Sequence, residues 1–329
     1  MDELLQQALD CRLDQFDPPH QSALRLFNGF SEGLPALAID LYAATLLIHN
    51  LADPPASLDP IIPQALDFYL ARLPWLQAVL LKTRHAASHS ERCGRLLYGT
   101  TPADRVREHG VWYALDLPGG QDASLYLDTS HLRKWALDHL HGKTVLNTFA
   151  YTGSLGIAAL AGGASRLVQL DRSRASLELA KTSCRLNGFP IHDSDYLVGD
   201  FFALVSALKR SRAQFDCVML DPPFISSGSR TGLNLEQDSP RLVNKLRPLV
   251  RDGGWLVAIN NALFVSGSSY MASLQALCAD GYLKIEELIP VPDDFTGYPA
   301  TRQGEPPLNP SPFNHPTKIA LLRVKKKPK

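Results

Sequence analysis

Residues 143–171 contain two short, mainly apolar segments, Lys143-Thr-Val-Leu-Asn147 and Arg166-Leu-Val-Gln-Leu-Asp171. Between them lie a glycine-containing turn and a stretch of small residues, Leu155–Ala161. Apolar segments that do not alternate with polar residues predict strands buried on both faces, and the small-residue stretch predicts a helix. A strand, a helix and a second strand in this order predict a βαβ unit with parallel strands.

The alternation of strands and helices continues to the end of the chain. Ser173 is placed to cap the helix that follows the second strand, and Gly188 is placed to end it. Further strands are predicted at 196–200, 215–221, 254–260, 283–289 and 318–324, and further helices at 201–208, 235–249 and 270–279. The pattern predicts an α/β fold with a doubly wound, Rossmann-like sheet. Residues 290–316 contain eight prolines and predict an irregular segment before the last strand.

The amino-terminal part of the chain is less regular. Its pattern predicts a short amphipathic helix at Glu3–Leu13, a hairpin within Leu37–Ile48 and a helix at Leu66–Leu73. We therefore expect a smaller α+β domain at 1–120 and a larger α/β domain at 121–329.

Composition and charge exclude several classes of protein. The 33 basic and 33 acidic residues balance, and 45% of the chain is hydrophobic, as in ordinary globular proteins. No apolar stretch is long enough to span a membrane, and the acidic start does not resemble an export signal. Five scattered cysteines without a CxxC pair indicate reduced thiols in the cytoplasm. Residues 71–110, with seven basic and three acidic residues, form a local basic region that either contacts phosphate or is solvated surface.

Metal and hydrolase sites have little support in the sequence. His85 and His89 are four residues apart, but no third ligand stands at a suitable spacing, so no metal is expected. Neither GxSxG nor HExxH occurs, which leaves serine-hydrolase and zinc-protease interpretations without a motif.

Polar residues follow the predicted strands at the ends where open α/β sheets bind ligands. The turn Asn147-Thr-Phe-Ala-Tyr-Thr-Gly153 lacks GxGxxG, which argues against NAD or FAD and allows a smaller ligand against Gly153. Asp171 is placed to accept hydrogen bonds from ribose hydroxyls, although an aspartate at a strand end is also a common helix cap. With Asp200 for an adenine amino group and Phe201 near the adenine face, a nucleoside site is the favoured interpretation.

The segment Asp221-Pro222-Pro223-Phe224 is the most specific feature. Two prolines after a buried strand fix the backbone, so the Asp221 carboxylate and the Pro222 carbonyl become the exposed acceptors. Both acceptors suit a planar amino group, and Phe224 suits stacking on an aromatic ring. The alternative is a simple strand-terminating turn. Ser226–Arg230, which follows, is either a mobile substrate lid or an ordinary loop.

These residues resemble the class I S-adenosylmethionine-dependent methyltransferases, whose [D/N]PP[Y/F/W] motif matches Asp221–Phe224. The resemblance narrows to the bacterial large-subunit ribosomal RNA methyltransferases, in the branch with the cytosine-5 and guanine-7 enzymes. It implies that Asn147, Phe149, Tyr151 and Gly153 form the cofactor loop, and that the segment with Asp128 and Arg133 closes over the methionine moiety. Ser31–Tyr42 is similar to a signature of the family's central domain.

Two departures from the family are visible. The cytosine-5 members carry Ser-Cys after the fifth strand, whereas this chain has Asn260-Asn261, which is similar to the guanine-7 branch. The amino-terminal PUA RNA-binding module of some members is not expected, because the chain begins close to the central domain.

The resemblance implies a cytoplasmic enzyme that uses S-adenosyl-L-methionine to methylate a base nitrogen in RNA. Ribosomal RNA is the expected substrate, and the domain at 1–120 is expected to contact it. The nitrogen is either guanine N7 or an exocyclic amine, and transfer is direct and in line, with Asp221, Pro222 and Phe224 as catalytic residues. Neither a membrane nor a metal is expected to take part. The alternatives are a methyltransferase for a small molecule or protein side chain, and a non-catalytic RNA-binding protein. The sequence leaves the oligomeric state open.

Overall fold

The computed structural model of the protein describes residues 1–223, 235–304, 306 and 308–326. The chain forms two compact units. The first unit comprises residues 1–128 and 292–306, and the second comprises residues 129–291 and 307–329. No helix in the described part of the chain is long and apolar enough to cross a membrane.

The first unit contains a five-stranded sheet in the order β1-β2-β3-β4-β5 and a separate hairpin of β6 and β7. In the five-stranded sheet β3 and β4 are parallel and the other neighbours are antiparallel. The predicted hairpin is confirmed as β2 and β3. The elements are α1 (Asp2–Asp10), β1 (Ala23–Asn28), α2 (Gly29–Glu32), β2 (Leu37–Tyr42), β3 (Thr45–Asn50), α3 (Ile61–Arg72), β4 (Ala78–Thr83), α4 (His89–Cys93), β5 (Arg95–Gly99), β6 (Arg105–Glu108) and β7 (Val111–Ala114).

The second unit contains a seven-stranded sheet and follows the predicted alternation closely. Its elements are α5 (Ser130–His139), β8 (Thr144–Thr148), α6 (Ser154–Ala161), β9 (Arg166–Asp171), α7 (Arg174–Leu186), β10 (Tyr196–Val198), α8 (Phe201–Arg210), β11 (Phe215–Leu220), α9 (Leu235–Leu246), β12 (Val250–Asn260), α10 (Gly267–Cys278), β13 (Leu283–Ile289) and β14 (Lys318–Val324). Ser173 caps α7 by accepting a hydrogen bond from the Ser176 amide, and Gly188 follows the helix with a positive φ of 69°, as predicted.

The strand order β10-β9-β8-β11-β12-β14-β13 confirms the doubly wound fold. The first five strands in this order are parallel, β14 is antiparallel to β12, and the edge strand β13 is antiparallel to β14. From β8 the chain moves outward to β9 and β10 and then returns to the other side of β8 as β11. The order therefore reverses between β8 and β11, and the loops that follow these strands border the ligand-binding crevice of such folds.

Residues 292–306 return to the first unit through a short helix, α11 (Asp293–Thr296). The Asp294 carbonyl accepts a hydrogen bond from Arg12 at 3.1 Å, and the Thr301 hydroxyl donates to Glu32 at 2.7 Å. Arg12 and Glu32 are themselves a buried ion pair with an N–O distance of 2.9 Å. The structure thus divides the chain after Asp128 rather than after residue 120, and it assigns part of the proline-rich segment to the first unit.

Candidate active site

The carboxyl ends of β8 to β12 lie at one edge of the second unit's sheet, because these strands are parallel. Paired positions near this edge include Leu170 with Thr148 and Thr148 with Leu220. The Thr148 hydroxyl also donates to the Met219 carbonyl at 2.7 Å, which joins β8 to β11 at the point where the strand order reverses. The candidate site residues from the sequence lie on or next to successive strands of this sheet. Along the sheet their order is Asp200, Asp171, Asn147 and Asp221.

The loop after β8 has an unusual backbone that Asp171 holds in place. Phe149 and Tyr151 have positive φ angles of 53° and 50°, which non-glycine residues rarely adopt. One Asp171 oxygen accepts from the Tyr151 amide at 2.8 Å, and the other accepts from the Ser173 amide at 2.8 Å. Asp171 therefore ties the loop after β8 to the start of α7. Its half-buried carboxylate retains lone pairs for further donors.

Beneath this loop lies a buried amide pair. The Asn147 side chain donates to Gln169 at 3.0 Å, and both residues are almost fully buried. Asn147 Oδ1 and Gln169 Nε2 have no partner among the described residues. A Cβ atom at Gly153 would lie 2.5 Å from Gln169 Nε2 and 2.7 Å from Ala180 Cβ, so only glycine fits there. An unsatisfied amide pair under a glycine turn fits a small polar ligand.

Gln169 was not among the predicted site residues. In the sequence, Gln169 is the one amide side chain within the apolar segment Arg166–Asp171. A strand buried on both faces gives no reason for it. Because a buried amide requires hydrogen-bond partners, that residue pointed to a polar contact with a neighbouring strand.

At the end of β10, Asp200 caps α8 by accepting from the Ala203 amide at 3.0 Å. Phe201 is only 3% exposed and stacks on Phe149 with a centroid distance of 4.5 Å and an angle of 21° between the rings. Phe149 is the half-buried member of this pair. The predicted aromatic surface is therefore a stacked pair in which Phe201 supports Phe149 from the core.

The Asp221 turn follows β11 directly. Asp221 is half-buried, Pro222 is buried and Pro223 is exposed. Phe224 and the polar segment Ser226–Arg230, both singled out from the sequence, lie outside the described residues.

The turn after β12 is held by a buried lysine. Asn260 Oδ1 accepts from the Ala262 amide at 3.1 Å, while Lys318 Nζ donates to the Ala262 carbonyl at 3.0 Å and to the Pro316 carbonyl. Lys318 is fully buried, and burial lowers its pKa to about 8. Sequence reasoning missed Lys318, because one of its two carbonyl partners, that of Ala262, lies 56 residues away in the chain.

The remaining predicted residues lie on either side of the division between the units. Asp128 is the last residue of the first unit. Arg133 lies on α5 in the second unit, is fully buried, and donates to the Thr129 hydroxyl at 2.8 Å. Among the described residues, no group of three or more histidine, cysteine or acidic side chains is placed to hold a metal ion.

Sequence comparison identifies relatives of the chain. A family model described as S-adenosylmethionine-dependent methyltransferase matches residues 34–300. Ribosomal RNA large subunit methyltransferase I of Aeromonas salmonicida (strain A449) is 33% identical over 201 residues, which cover 60% of this chain and 50% of that protein. YwbD of Bacillus subtilis (strain 168), named as a candidate ribosomal RNA large subunit methyltransferase, is 28% identical over 308 residues, 91% of this chain and 76% of YwbD. The chain spans about half the length of several curated relatives that it matches.

Solved structures share the fold. SMU.776, a candidate methyltransferase in complex with SAH, superposes with a TM-score of 0.84 at 20% identity, over 98% of this chain and 80% of that one. The tRNA m1G37 methyltransferase of M. jannaschii superposes with a TM-score of 0.56 at 13% identity, over 99% of this chain and 79% of that one. At these identities the likeness concerns the fold alone.

Proposed function

The chain belongs to the S-adenosylmethionine-dependent methyltransferases, and from that membership we propose that it methylates a base nitrogen in ribosomal RNA. The observation that carries the proposal is the Asp221-Pro222-Pro223 turn at the edge where the strand order reverses, beside the loop that Asp171 holds. The names of the relatives in Aeromonas salmonicida and Bacillus subtilis support ribosomal RNA as the substrate.

S-adenosylmethionine, when bound, supplies a methyl group already activated by its sulfonium. The loop with Asn147, Phe149, Tyr151 and Gly153 would hold it over the buried amide pair. Asp171 would accept from the ribose hydroxyls while it keeps the Tyr151 amide in place.

The other predicted residues would orient the ends of the cofactor. Asp200 would accept from the adenine amino group, and Phe149 backed by Phe201 would face the ring. Asp128 and Arg133 would bind the methionine end, as the resemblance implies.

On the substrate side, Asp221 and the Pro222 carbonyl are acceptors for an amino group of the target base. An exocyclic amine that donates to both would be oriented with its lone pair toward the methyl group. Guanine N7 carries no proton and needs no general base. Phe224 remains the proposed stacking surface, and a base within a duplex would have to leave the stack to reach it.

Covalent catalysis by a thiol has no support in the geometry. Asn260 ends β12 and Asn261 follows it, and Cys217 on β11 is fully buried. Burial raises the pKa of the Cys217 thiol, so the nucleophilic thiolate is disfavoured. Direct in-line transfer, in which the chain positions the base and excludes water, is the mechanism that these residues support. An enzyme acting on ribosomal RNA would work in the cytoplasm.

Methyl-labelled S-adenosylmethionine tests the proposal. The protein should transfer label to ribosomal RNA from cells that lack its gene, and not to ribosomal RNA from cells that have it, where the site is already methylated. Asp221→Ala should lose transfer while its cofactor affinity by calorimetry stays unchanged. Asp138→Asn on the exposed face of α5 is the matched control and should retain full activity.

Three outcomes would contradict the proposal or its mechanism. Cofactor binding without transfer to either RNA would favour a small molecule or a protein side chain as substrate. Absence of cofactor binding would favour a non-catalytic RNA-binding protein. Unchanged turnover in Asp221→Ala would remove Asp221 from the mechanism.

A further inference from the structure

Three basic side chains, Lys209, Arg241 and Lys245, form a basic stripe between two helices of the second unit. Helices α8 and α9 pack on the same hydrophobic core and cover the same face of the seven-stranded sheet. On α8, Phe202 and Lys209 are seven residues apart and therefore lie on one side of the helix. On α9, Arg241 and Lys245 are four residues apart and are likewise neighbours on the helix surface.

The Phe202 ring brings the two helices together at the stripe. The Arg241 guanidinium lies over this ring at 5.5 Å from its centroid, and the Lys245 ammonium lies at 5.1 Å. Cations at these distances are attracted to the face of an aromatic ring, so Phe202 holds both side chains beside α8. Two positive charges of α9 are thereby gathered around one half-buried residue of α8.

Lys209 adds a third positive charge at the same place. Burial and the neighbouring Lys245 ammonium both lower the pKa of Lys209, because the two like charges lie within electrostatic range. Arg241 lies 3.6 Å from Asp238, whereas Lys209 and Lys245 have no ion-pair partner among the described residues. Like charges gathered in this way repel each other, and a bound anion would remove that repulsion.

The basic stripe begins beside the proposed cofactor loop. Phe202 contacts Phe201 edge to face with a centroid distance of 5.2 Å, and Phe201 stacks on Phe149. From the carboxyl end of β10, α8 runs back toward the amino ends of the parallel strands, so Lys209 lies further from the candidate site than Phe202 does. A ligand on the stripe would therefore extend from the site edge across one face of the unit.

We propose that Lys209, Arg241 and Lys245 bind phosphate groups in the backbone of the substrate RNA, on the strand that leads away from the target base. The inference rests on the proposed function. An RNA strand carries a negative charge at every nucleotide, which matches cations spread along two neighbouring helices. Contacts with phosphate position a nucleic acid but carry no sequence information, so the stripe would hold the RNA without reading its bases.

A purely structural role for these charges is the alternative. Lys209 and Lys245 stand in the last turns of their helices, where a positive charge stabilises the helix dipole. If Lys209 served only α8, Lys209→Gln would lower the free energy of unfolding and leave RNA binding unchanged. If Lys209 belongs to an anion-binding surface, the same variant relieves its repulsion with Lys245, so stability should hold or rise while RNA binding weakens.

The salt dependence of RNA binding tests the inference. The probe is ribosomal RNA from cells that lack the gene, titrated at several salt concentrations. Lys209→Gln, Arg241→Gln and Lys245→Gln should each weaken binding about fivefold, the value of one ion contact in water. Each should also lower the slope of log affinity against log salt by about 0.7–0.9. KM for the RNA should rise, while kcat and the affinity for S-adenosylmethionine stay unchanged.

Two control variants separate charge from other effects. Arg241→Lys keeps the positive charge and should keep the salt slope. Lys134→Gln removes a positive charge from α5, which packs on the other face of the sheet, where Asp138 already pairs with Lys134 at 2.5 Å. This variant should change neither the RNA affinity nor the salt slope.

The outcomes distinguish this inference from the proposed function. Arg241 has a side chain that is 71% exposed, so Arg241→Gln is informative even if another variant fails to fold. Unchanged RNA affinity and salt slope in Arg241→Gln and Lys245→Gln would overturn the inference, while methyl transfer to the RNA by the wild type would leave the proposed function standing. RNA binding that depends on the stripe, without methyl transfer to any RNA, would support the stripe and overturn the proposed function.

Discussion

Asp171 shows how one residue can fix the backbone around the proposed cofactor site. Its two oxygens hold the Tyr151 and Ser173 amides, so the loop after β8 keeps a backbone with two positive φ angles at non-glycine residues. The sequence indicated Asp171 as a ribose acceptor or a helix cap. The structure adds a contact with the Tyr151 amide, which the local sequence does not reveal because Tyr151 follows a different strand.

Gly153 provides the first prediction at this scale. In Gly153→Ala the new methyl group would meet Gln169 Nε2 and Ala180 Cβ at 2.5 and 2.7 Å, in a backbone with φ of 79°. We expect a loss of about 1–3 kcal/mol in the free energy of unfolding and weaker binding of S-adenosylmethionine. Urea denaturation and calorimetry measure the two effects.

Gly188→Ala is the control for backbone strain alone. Gly188 also has a positive φ, 69°, but a Cβ atom there would meet nothing within 4 Å. This variant should lose a smaller part of its stability and none of its cofactor affinity. Equal cofactor affinities in Gly153→Ala and the wild type would contradict the role given to the glycine turn.

At the scale of elements, the sequence predicted most of the second unit because its strands are continuously apolar. The bounds of β9, β13 and β14 agree with the prediction. Strand β12 begins at Val250 rather than at Gly254, because its first part is polar and exposed and is held by backbone pairing with Phe215. A hydrophobic pattern does not detect such a segment.

The buried lysine of β14 gives a prediction about pH. Burial lowers the pKa of Lys318 to about 8 from 10.5, so the unfolded chain binds this proton more tightly than the native state does. Between these two pH values unfolding takes up a proton, and raising the pH favours the native state. Relative to Lys318→Met, the wild type should gain about 2–3 kcal/mol in unfolding free energy between pH 7 and pH 10. Urea denaturation measures this difference. If the difference in unfolding free energy between wild type and Lys318→Met stays constant over this pH range, Lys318 is not a buried ammonium that titrates there.

At the scale of the whole molecule, the sequence predicted two domains. It did not predict that residues 292–306 return to the first unit. Contacts such as Arg12 with the Asp294 carbonyl join residues 282 positions apart, and no local pattern reports them. The sheet edge that carries the candidate site residues was easier to predict, since parallel strands bring all their carboxyl ends together. The role of Lys318 was not predictable, because it depends on the Ala262 carbonyl, which lies far away in the chain.

Buried charges in the first unit give a prediction about acid stability. Burial alone would raise the pKa of Asp40, but Arg25 at 2.8 Å and the hydrogen bond from His49 outweigh it and hold the pKa well below its usual range. The resulting stabilisation is present above the ordinary pKa of 3.8 and is lost as the pH falls below it. Asp40→Asn should lower the unfolding free energy by about 3–5 kcal/mol at pH 7, because Arg25 loses its partner.

The gap between wild type and Asp40→Asn should narrow in acid, below pH 3.8, as measured by urea denaturation. Asp67→Asn on the exposed side of α3 is the control and should change little. A gap that stays constant down to low pH would show that Asp40 does not titrate as this ion pair requires.

Mass spectrometry of ribosomal RNA nucleosides tests the central claim most directly. RNA from cells without this gene should lack one base-methylated nucleoside that is present when the gene is intact. Wild-type protein should restore it, and Asp221→Ala should not. Identical nucleoside contents with and without the gene would contradict the claim that this chain methylates a base of ribosomal RNA.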